Sequence, residues 1–184
     1  MKTLLKLTLA SVLLLSITAC VEQSVRDPSS RFYRIPVGSH IVLHQALAIK
    51  AGHVRQFVQR GAATDFSDLD QYWPSCSFEV RELRQTPQQI QPDNFEVVRV
   101  QQGETQIVGQ PRLQVAGLKL IALSLRETGQ PLVSRYYDIW LKSDTQPNVM
   151  RMRCFGAMAD LSESELPLFM EIQEALGAIA SVEL

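Results

Sequence analysis

The sequence predicts a mainly β protein: an antiparallel β-sandwich or barrel-like sheet with one C-terminal α-helix. Three observations predict it. From Ile41 onward, apolar residues recur at every second position in successive runs, as in strands with one buried face. Val133 to Leu141 (VSRYYDIWL) is dense in β-branched and aromatic residues, which suit a pleated surface. Only after Ser162 does the period become helical.

Ile41, Leu43, Leu47 and Ile49 predict a first strand. Lys50 to His53 predicts a turn, with Gly52 free to take positive φ. Val54 to Gln59 is then expected to run back as the partner strand. Residues 61–75 (GAATDFSDLDQYWPS) read as a polar loop with aromatics near its end. Cys76 to Leu83 alternates again, with Cys76, Phe78 and Val80 on one face and Ser77, Glu79 and Arg81 on the other. That places Cys76 toward the core. Pro87 and Pro92 bracket an expected glutamine-rich loop.

Phe95 to Val100 predicts a strand, and Gly103 the start of a return through Thr105 to Val108. Leu113 to Leu125 is more continuously apolar, as in a strand buried on both faces. Thr128 to Pro131 breaks that run before the Val133–Leu141 strand. Ser143 to Asn148 is the next turn. Val149 to Phe155 returns, with Met150, Met152 and Cys154 opposite Arg151 and Arg153.

Ser162 to Glu165 fits a capping box, S-x-x-E. Pro167 is tolerated only in a first turn, which moves the expected helix start to Ser164. Phe169, Ile172, Leu176 and Ile179 form an apolar stripe at 3–4–3 spacing. With Gly177 at the C-terminal cap, Ile179 is open to either the helix stripe or the following segment. Ala180, Val182 and Leu184 alternate as a last strand.

The N-terminus carries a different message. Lys2 and Lys6 precede a short apolar run, Leu7 to Leu15, then Ile17-Thr18-Ala19-Cys20. A basic head, a short apolar stretch and small residues before a cleavage site describe an export signal. A membrane span needs about 20 apolar residues, and Ser11, Ser16 and Thr18 dilute this shorter run. With cysteine first after the cut, the stretch resembles the lipobox of bacterial lipoproteins. The resemblance implies lipidation of Cys20 with fatty acyl chains such as palmitate, and a signal peptide ending at residue 19. Val21, where aspartate would favour inner-membrane retention, resembles an address for the periplasmic face of the outer membrane. Residues 20–31 then read as a lipidated, polar, flexible tether, and residues 32–184 as a single β-rich domain.

Removing residues 1–19 from 184 leaves 165, one domain's worth. The signal takes Lys2 and Lys6 and no acid, so 18 basic against 19 acidic residues becomes 16 against 19, a net charge of −3. Such a balance speaks against nucleic acid, which wants a basic face. Cys76 and Cys154 remain as an even pair in an oxidising compartment and are expected to form a structural disulfide.

Signals for chemistry are sparse. His40 and His44 would share a helix face, but on a strand they stand roughly 13 Å apart at about 3.3 Å per residue, too far for one ion. Asp65, Asp68 and Asp70 follow D-x-x-D-x-D, not the calcium-loop spacing, and read as a solvated acidic turn. No H-E-x-x-H, G-x-S-x-G, S-x-x-K or Walker loop occurs. No catalytic, metal or cofactor residue is therefore assigned. Tyr72, Trp73, Tyr136 and Trp140 could form a recognition surface, since such aromatics dominate binding energy, but core packing is the favoured reading. The segment Tyr72 to Glu79 (YWPSCSFE) resembles uncharacterised periplasmic lipoproteins of proteobacteria. The functional expectation is a non-enzymatic interaction or assembly module of the cell envelope, held at the membrane by its lipid and meeting an envelope protein. The alternative is a carrier of an apolar or lipid-like ligand in a barrel cavity lined by Leu113–Leu125.

Overall fold

A computed structural model describes residues 25–108 and 131–184. The expected fold class holds: the chain is mainly β, an antiparallel sheet curled into a half-barrel, with one helix near the C-terminus. The strands are β1 (His40–Leu43), β2 (Leu47–Ile49), β3 (Arg55–Gln59), β4 (Ala62–Thr64), β5 (Ser75–Val80), β6 (Gln88–Ile90), β7 (Asp93–Val108), β8 (Leu132–Lys142), β9 (Val149–Phe155), β10 (Ala159–Asp160) and β11 (Ala180–Glu183). The helix α1 spans Phe169–Leu176. Among the described residues the main sheet runs β11-β1-β7-β8-β9-β5-β3-β4, with β10 paired to β8, while β2 and β6 make a separate ribbon.

One face of the sheet is the core. Phe78, Phe95, Ile139 and Met152 are wholly buried, each worth roughly 1.5–3 kcal/mol relative to exposure. The stripe Phe169, Ile172 and Leu176 turns α1 onto this face, where the helix packs on β3, β5 and β11. The expected disulfide is present: Cys76 and Cys154 face each other across β5 and β9, with Cα atoms 4.0 Å apart. At the C-cap, Gly177 (φ +52°) and Gly61 (φ +73°) touch, and a Cβ on Gly177 would lie 2.5 Å from the Gly61 Cα. Glycine at both positions lets the helix end meet the β3–β4 turn, where Gly61 N–H donates to Ala175 O at 3.0 Å.

Several local expectations give way. The first predicted strand is two, β1 and β2, in different sheets. The break at residues 44–46 preserves the odd-even parity, so alternation alone could not reveal it. The turn at Lys50–His53 is real, with His53 N–H donating to Lys50 O at 3.1 Å. It joins strands that do not pair: β3 lies between β4 and β5. The glutamine-rich loop contains β6, and the polar loop contains β4 and a 3-10 turn at Phe66–Asp68. The strand after Cys76 ends at Val80, leaving Leu83 exposed.

Gly103 does not start a turn. It lies inside β7, opposite Tyr136, where a Cβ would come within 2.5 Å of the tyrosine ring. Glycine here makes room for a side chain. In β9, a register shift opposite Glu79/Val80 puts Val149 in the core and leaves Met150 half-buried. The helix starts at Phe169, not Ser164. Leu166 precedes Pro167 and is thereby steered away from helical backbone. The acidic cap is Glu171, whose Oε2 accepts from Leu168 N–H at 2.7 Å. Gly177 is the C-cap, with Ile179 beyond it. Leu184 is exposed past the end of β11. The expected Leu113–Leu125 strand, Cys20 and the signal lie outside the described residues.

Candidate binding face

The sheet face opposite the core is polar, and alternation is what makes it so. On β5, Cys76 and Phe78 point inward, which turns Ser75, Ser77 and Glu79 outward. On β9, Met152 and Cys154 point inward, which turns Arg151, Arg153 and Phe155 outward. On β8, Tyr137 and Ile139 are core residues, which turns Tyr136, Asp138 and Trp140 outward.

Strand pairing aligns these side chains in rungs. One rung runs Arg55, Glu79, Arg151, Trp140, Arg99 across β3, β5, β9, β8 and β7. The next runs Phe57, Ser77, Arg153, Asp138, Gln101, and a third Ser75, Phe155, Tyr136, Gly103.

The charges are interlocked. Arg151 Nε donates to Glu79 Oε2 at 2.8 Å and its Nη1 to Asp138 Oδ2 at 3.2 Å. Arg153 holds Asp138 by two bonds, Nε to Oδ1 at 2.6 Å and Nη2 to Oδ2 at 2.9 Å. Arg55 Nη2 stands 3.3 Å from Glu79 Oε1. The Glu79 side chain is only 2% exposed, against 35% for Arg55. Burial alone would lower the Arg153 pKa, but the hydrogen bonds and charge of Asp138, with the charge of Glu79, raise it. Three arginines against two carboxylates leave the cluster one positive charge in surplus.

Aromatic rings complete the surface. The Arg99 guanidinium lies 4.3 Å from the Trp140 ring centroid and that of Arg151 5.4 Å, while Trp140 Nε1 donates to Gln101 Oε1 at 2.9 Å. Arg153 sits 4.2 Å from the Tyr136 ring, whose neighbour is Phe155 at 5.4 Å. Of the four predicted recognition residues, Tyr136 and Trp140 thus share this face, half-buried. Tyr72 and Trp73 sit on the loop beside it and are exposed. Gln59 holds that loop, donating to Asp70 O and Trp73 O at 2.9 and 3.1 Å and accepting from Asp70 N–H at 3.0 Å.

Loop and sheet enclose a hollow of about 250 Å³, bordered by Trp73, Phe66, Phe57, Phe155, Arg55 and Arg153 among others. A second hollow of about 320 Å³ shares Arg55, Phe57 and Phe66 and adds Lys50 and His53. Sequence reasoning missed Arg55, Ser77, Glu79, Arg153 and Phe155 as a group. Their outward alternation was readable; their adjacency was not.

The remaining predicted groups lie elsewhere. His40 Nδ1 pairs with Asn94 Oδ1 at 2.7 Å, and His53 Nδ1 with Ala51 O at 3.0 Å. His44 Nε2 meets Ser181 Oγ at 2.9 Å, with no carboxylate bonded to its other ring nitrogen among the described residues. Asp65 pairs with Lys50 and Asp70 with Arg60, and Asp68 accepts from Ser67. Among the described residues no three histidine, cysteine or acidic side chains cluster as metal ligands. No protein-family model, curated protein or solved structure matches the chain.

Proposed function

We propose that this chain is a lipid-anchored, non-enzymatic interaction module of the bacterial cell envelope. Cys20 holds it at the periplasmic face of the outer membrane, and the arginine–aromatic face meets an envelope protein partner. The observation that carries this reading is that face: on the side of the sheet opposite α1, Arg99, Gln101 and the half-buried rings of Tyr136 and Trp140 stand over an interlocked layer of largely buried arginines and acids. Arginine, tryptophan and tyrosine are the residue types that anchor protein interfaces. Rings already flanked by guanidinium groups lose little side-chain freedom on binding. The disulfide supports an oxidising compartment. Among the described residues no helix is long and apolar enough to cross a membrane; the proposed attachment rests on the lipobox-like stretch ending at Cys20. The proposed partner is not nucleic acid: the −3 balance of the mature chain gives no broad basic surface.

Two measurements test the proposal. Cys20→Ser should move the protein from the membrane to the soluble fraction; retention at the membrane would overturn the anchor. A photo-crosslinking residue placed at Gln101, on the face, should capture an envelope protein in intact cells. The same residue at Gln173, exposed on α1, should not. Equal capture from both positions, or none from Gln101, would overturn the face.

A further inference from the structure

We propose that the hollow between the sheet face and the 65–74 loop binds a small amphiphilic anion, a carboxylate or phosphate head on an apolar body. The hollow shares Arg55, Arg153 and Phe155 with the face described above, but the proposal does not depend on a protein partner there. Three independent features converge there.

The first is the lining. Phe57, Phe66, Leu69, Trp73 and Phe155 supply apolar wall on one side. Arg55, Arg153, Ser75 and Ser134 supply polar groups on the other. Gln71, Thr105 and Gln106 also border the hollow, so its lining is mixed, apolar rings on one side and polar groups on the other, as an amphiphilic ligand requires. The hollow measures about 250 Å³, and a second of about 320 Å³, at the lower end of the roughly 300–1,000 Å³ range of small-molecule sites, borders the same Arg55, Phe57 and Phe66.

The second is charge. Arg55 borders both hollows. Its contact with Glu79 is a single loose approach at 3.3 Å, and a third of its side chain is exposed. Arg153 spends Nε and Nη2 on Asp138, and its Nη1 donates to no described acceptor. Lys50 and His53 extend the basic wall beyond Arg55, and Asp65 answers Lys50. Counting Arg55, Arg151, Arg153 and Lys50 against Glu79, Asp138 and Asp65 leaves one positive charge in surplus, so an anionic head is favoured over a cationic one.

The third is an orphaned hydroxyl. Ser77 is wholly buried between Phe57 and Arg153, both of which line the hollow. Its Oγ makes no hydrogen bond with any described group. A buried hydroxyl without a partner costs about 1–3 kcal/mol. Ser77 lies one layer behind the lining, so a ligand oxygen between Arg55 and Arg153 would reach it only with a shift of one of these side chains. Glu79 Oε1, on the next rung beside Arg55, is the other buried polar atom without a hydrogen bond among the described residues.

The test uses mature, lipidated protein in nanodiscs of neutral lipid, titrated with 2-naphthoate, its neutral amide and inorganic phosphate. The naphthoate should bind at least about tenfold more tightly than the amide, a difference of about 1.4 kcal/mol, and more tightly than phosphate alone. Equal binding of acid and amide, or no binding of either, would overturn the proposal. Ser77→Ala should weaken naphthoate binding while leaving the melting temperature unchanged or higher. Weaker folding with unchanged affinity would assign Ser77 a structural role and remove the third feature. The exposed double variant Lys50→Ala/His53→Ala should reduce affinity several-fold, and full affinity would restrict the head to Arg55 and Arg153. Repeating the titration with anionic lipid in the disc separates two sources. Competition would assign the site to lipid headgroups, and its absence to a free anion. Titrating the Cys20→Ser protein in solution in parallel frees the naphthoate readout from the anchor, and no step uses crosslinking at Gln101, so this proposal and the preceding one fail separately.

Discussion

Asp93 shows how much one side chain can organise. It opens β7, and its Oδ2 accepts from Ser143 Oγ and Thr145 Oγ1, each at 2.6 Å, and from Gln146 Nε2 at 3.0 Å. The backbone N–H of Asn94 donates to its Oδ1 at 2.8 Å. The β8–β9 turn is thus fastened to the start of a strand some fifty residues earlier in the chain. Burial pushes the Asp93 carboxyl up, but these hydrogen bonds outweigh it and hold the pKa at about 2, against an ordinary value of 3.8. A depressed carboxylate stabilises the fold above its unfolded pKa and loses that contribution as pH falls through the folded one. The window for Asp93 therefore runs from about pH 4 down to about pH 2. Asp93→Asn should lower the urea midpoint at neutral pH, and the gap between variant and parent should shrink through that window. A gap that stays constant from pH 5 to pH 2 would remove Asp93 from the acid response.

At the scale of the element, the polar face depends on Gly103. The Tyr136 ring lies across β7 where any Cβ would collide with it, and that ring supports Arg153. Gly103→Ala should displace the ring and destabilise the protein by about 1–3 kcal/mol, the usual range for overpacking, measured by urea unfolding. A variant as stable as its parent would mean that the ring is not held there. The same glycine marks where sequence reading ran out. Its small size was read as a turn signal, because nothing local distinguishes a glycine needed for φ from one needed for space. Strands that announce themselves by alternation, β5, β8 and β9, were legible; the pairing of β3 was not, because a turn signal does not say that its two flanks pair. Most of the polar face was legible. If the expected Cys76–Cys154 disulfide bridges two antiparallel strands directly, Ser77 must face Arg153 and Glu79 must face Arg151. The cysteine pair thus carries the register of the ion pairs with it. The step beyond, from β9 to Asp138 on β8, follows from the Ser143–Asn148 turn. What no local signal offered was Arg55, on a strand whose neighbour was misassigned.

For the whole molecule, the sheet has two jobs on two faces, and the disulfide serves both. Inward, it lies under α1 beside Phe78 and Met152. Outward, it fixes β5 against β9, the pair that holds Glu79 to Arg151. The bond links residues separated by 78 positions, and between them lie the β6 ribbon strand, all of β7 and β8, and residues 109–130. Cross-linking a loop of that length removes chain entropy from the unfolded state worth about 4–5 kcal/mol in the loop-entropy account. A typical domain has only about 5–15 kcal/mol of stability in total. Reduction of the mature protein should therefore lower its unfolding free energy by a large fraction, seen as a lower urea midpoint in dithiothreitol than without it. Cys76→Ala/Cys154→Ala should match the reduced parent within about 1–2 kcal/mol, the difference being two lost sulfurs in a packed core. The polar face should loosen along with the core, because the register of its ion pairs is set by the same two strands. Hydrogen exchange at Ser77 and Arg153 should then accelerate together with that at Phe78. Fast exchange at Phe78 with Ser77 and Arg153 still protected would show that the charge network holds β5 to β9 without the bond. An unchanged midpoint on reduction would show that the half-barrel and its helix suffice on their own.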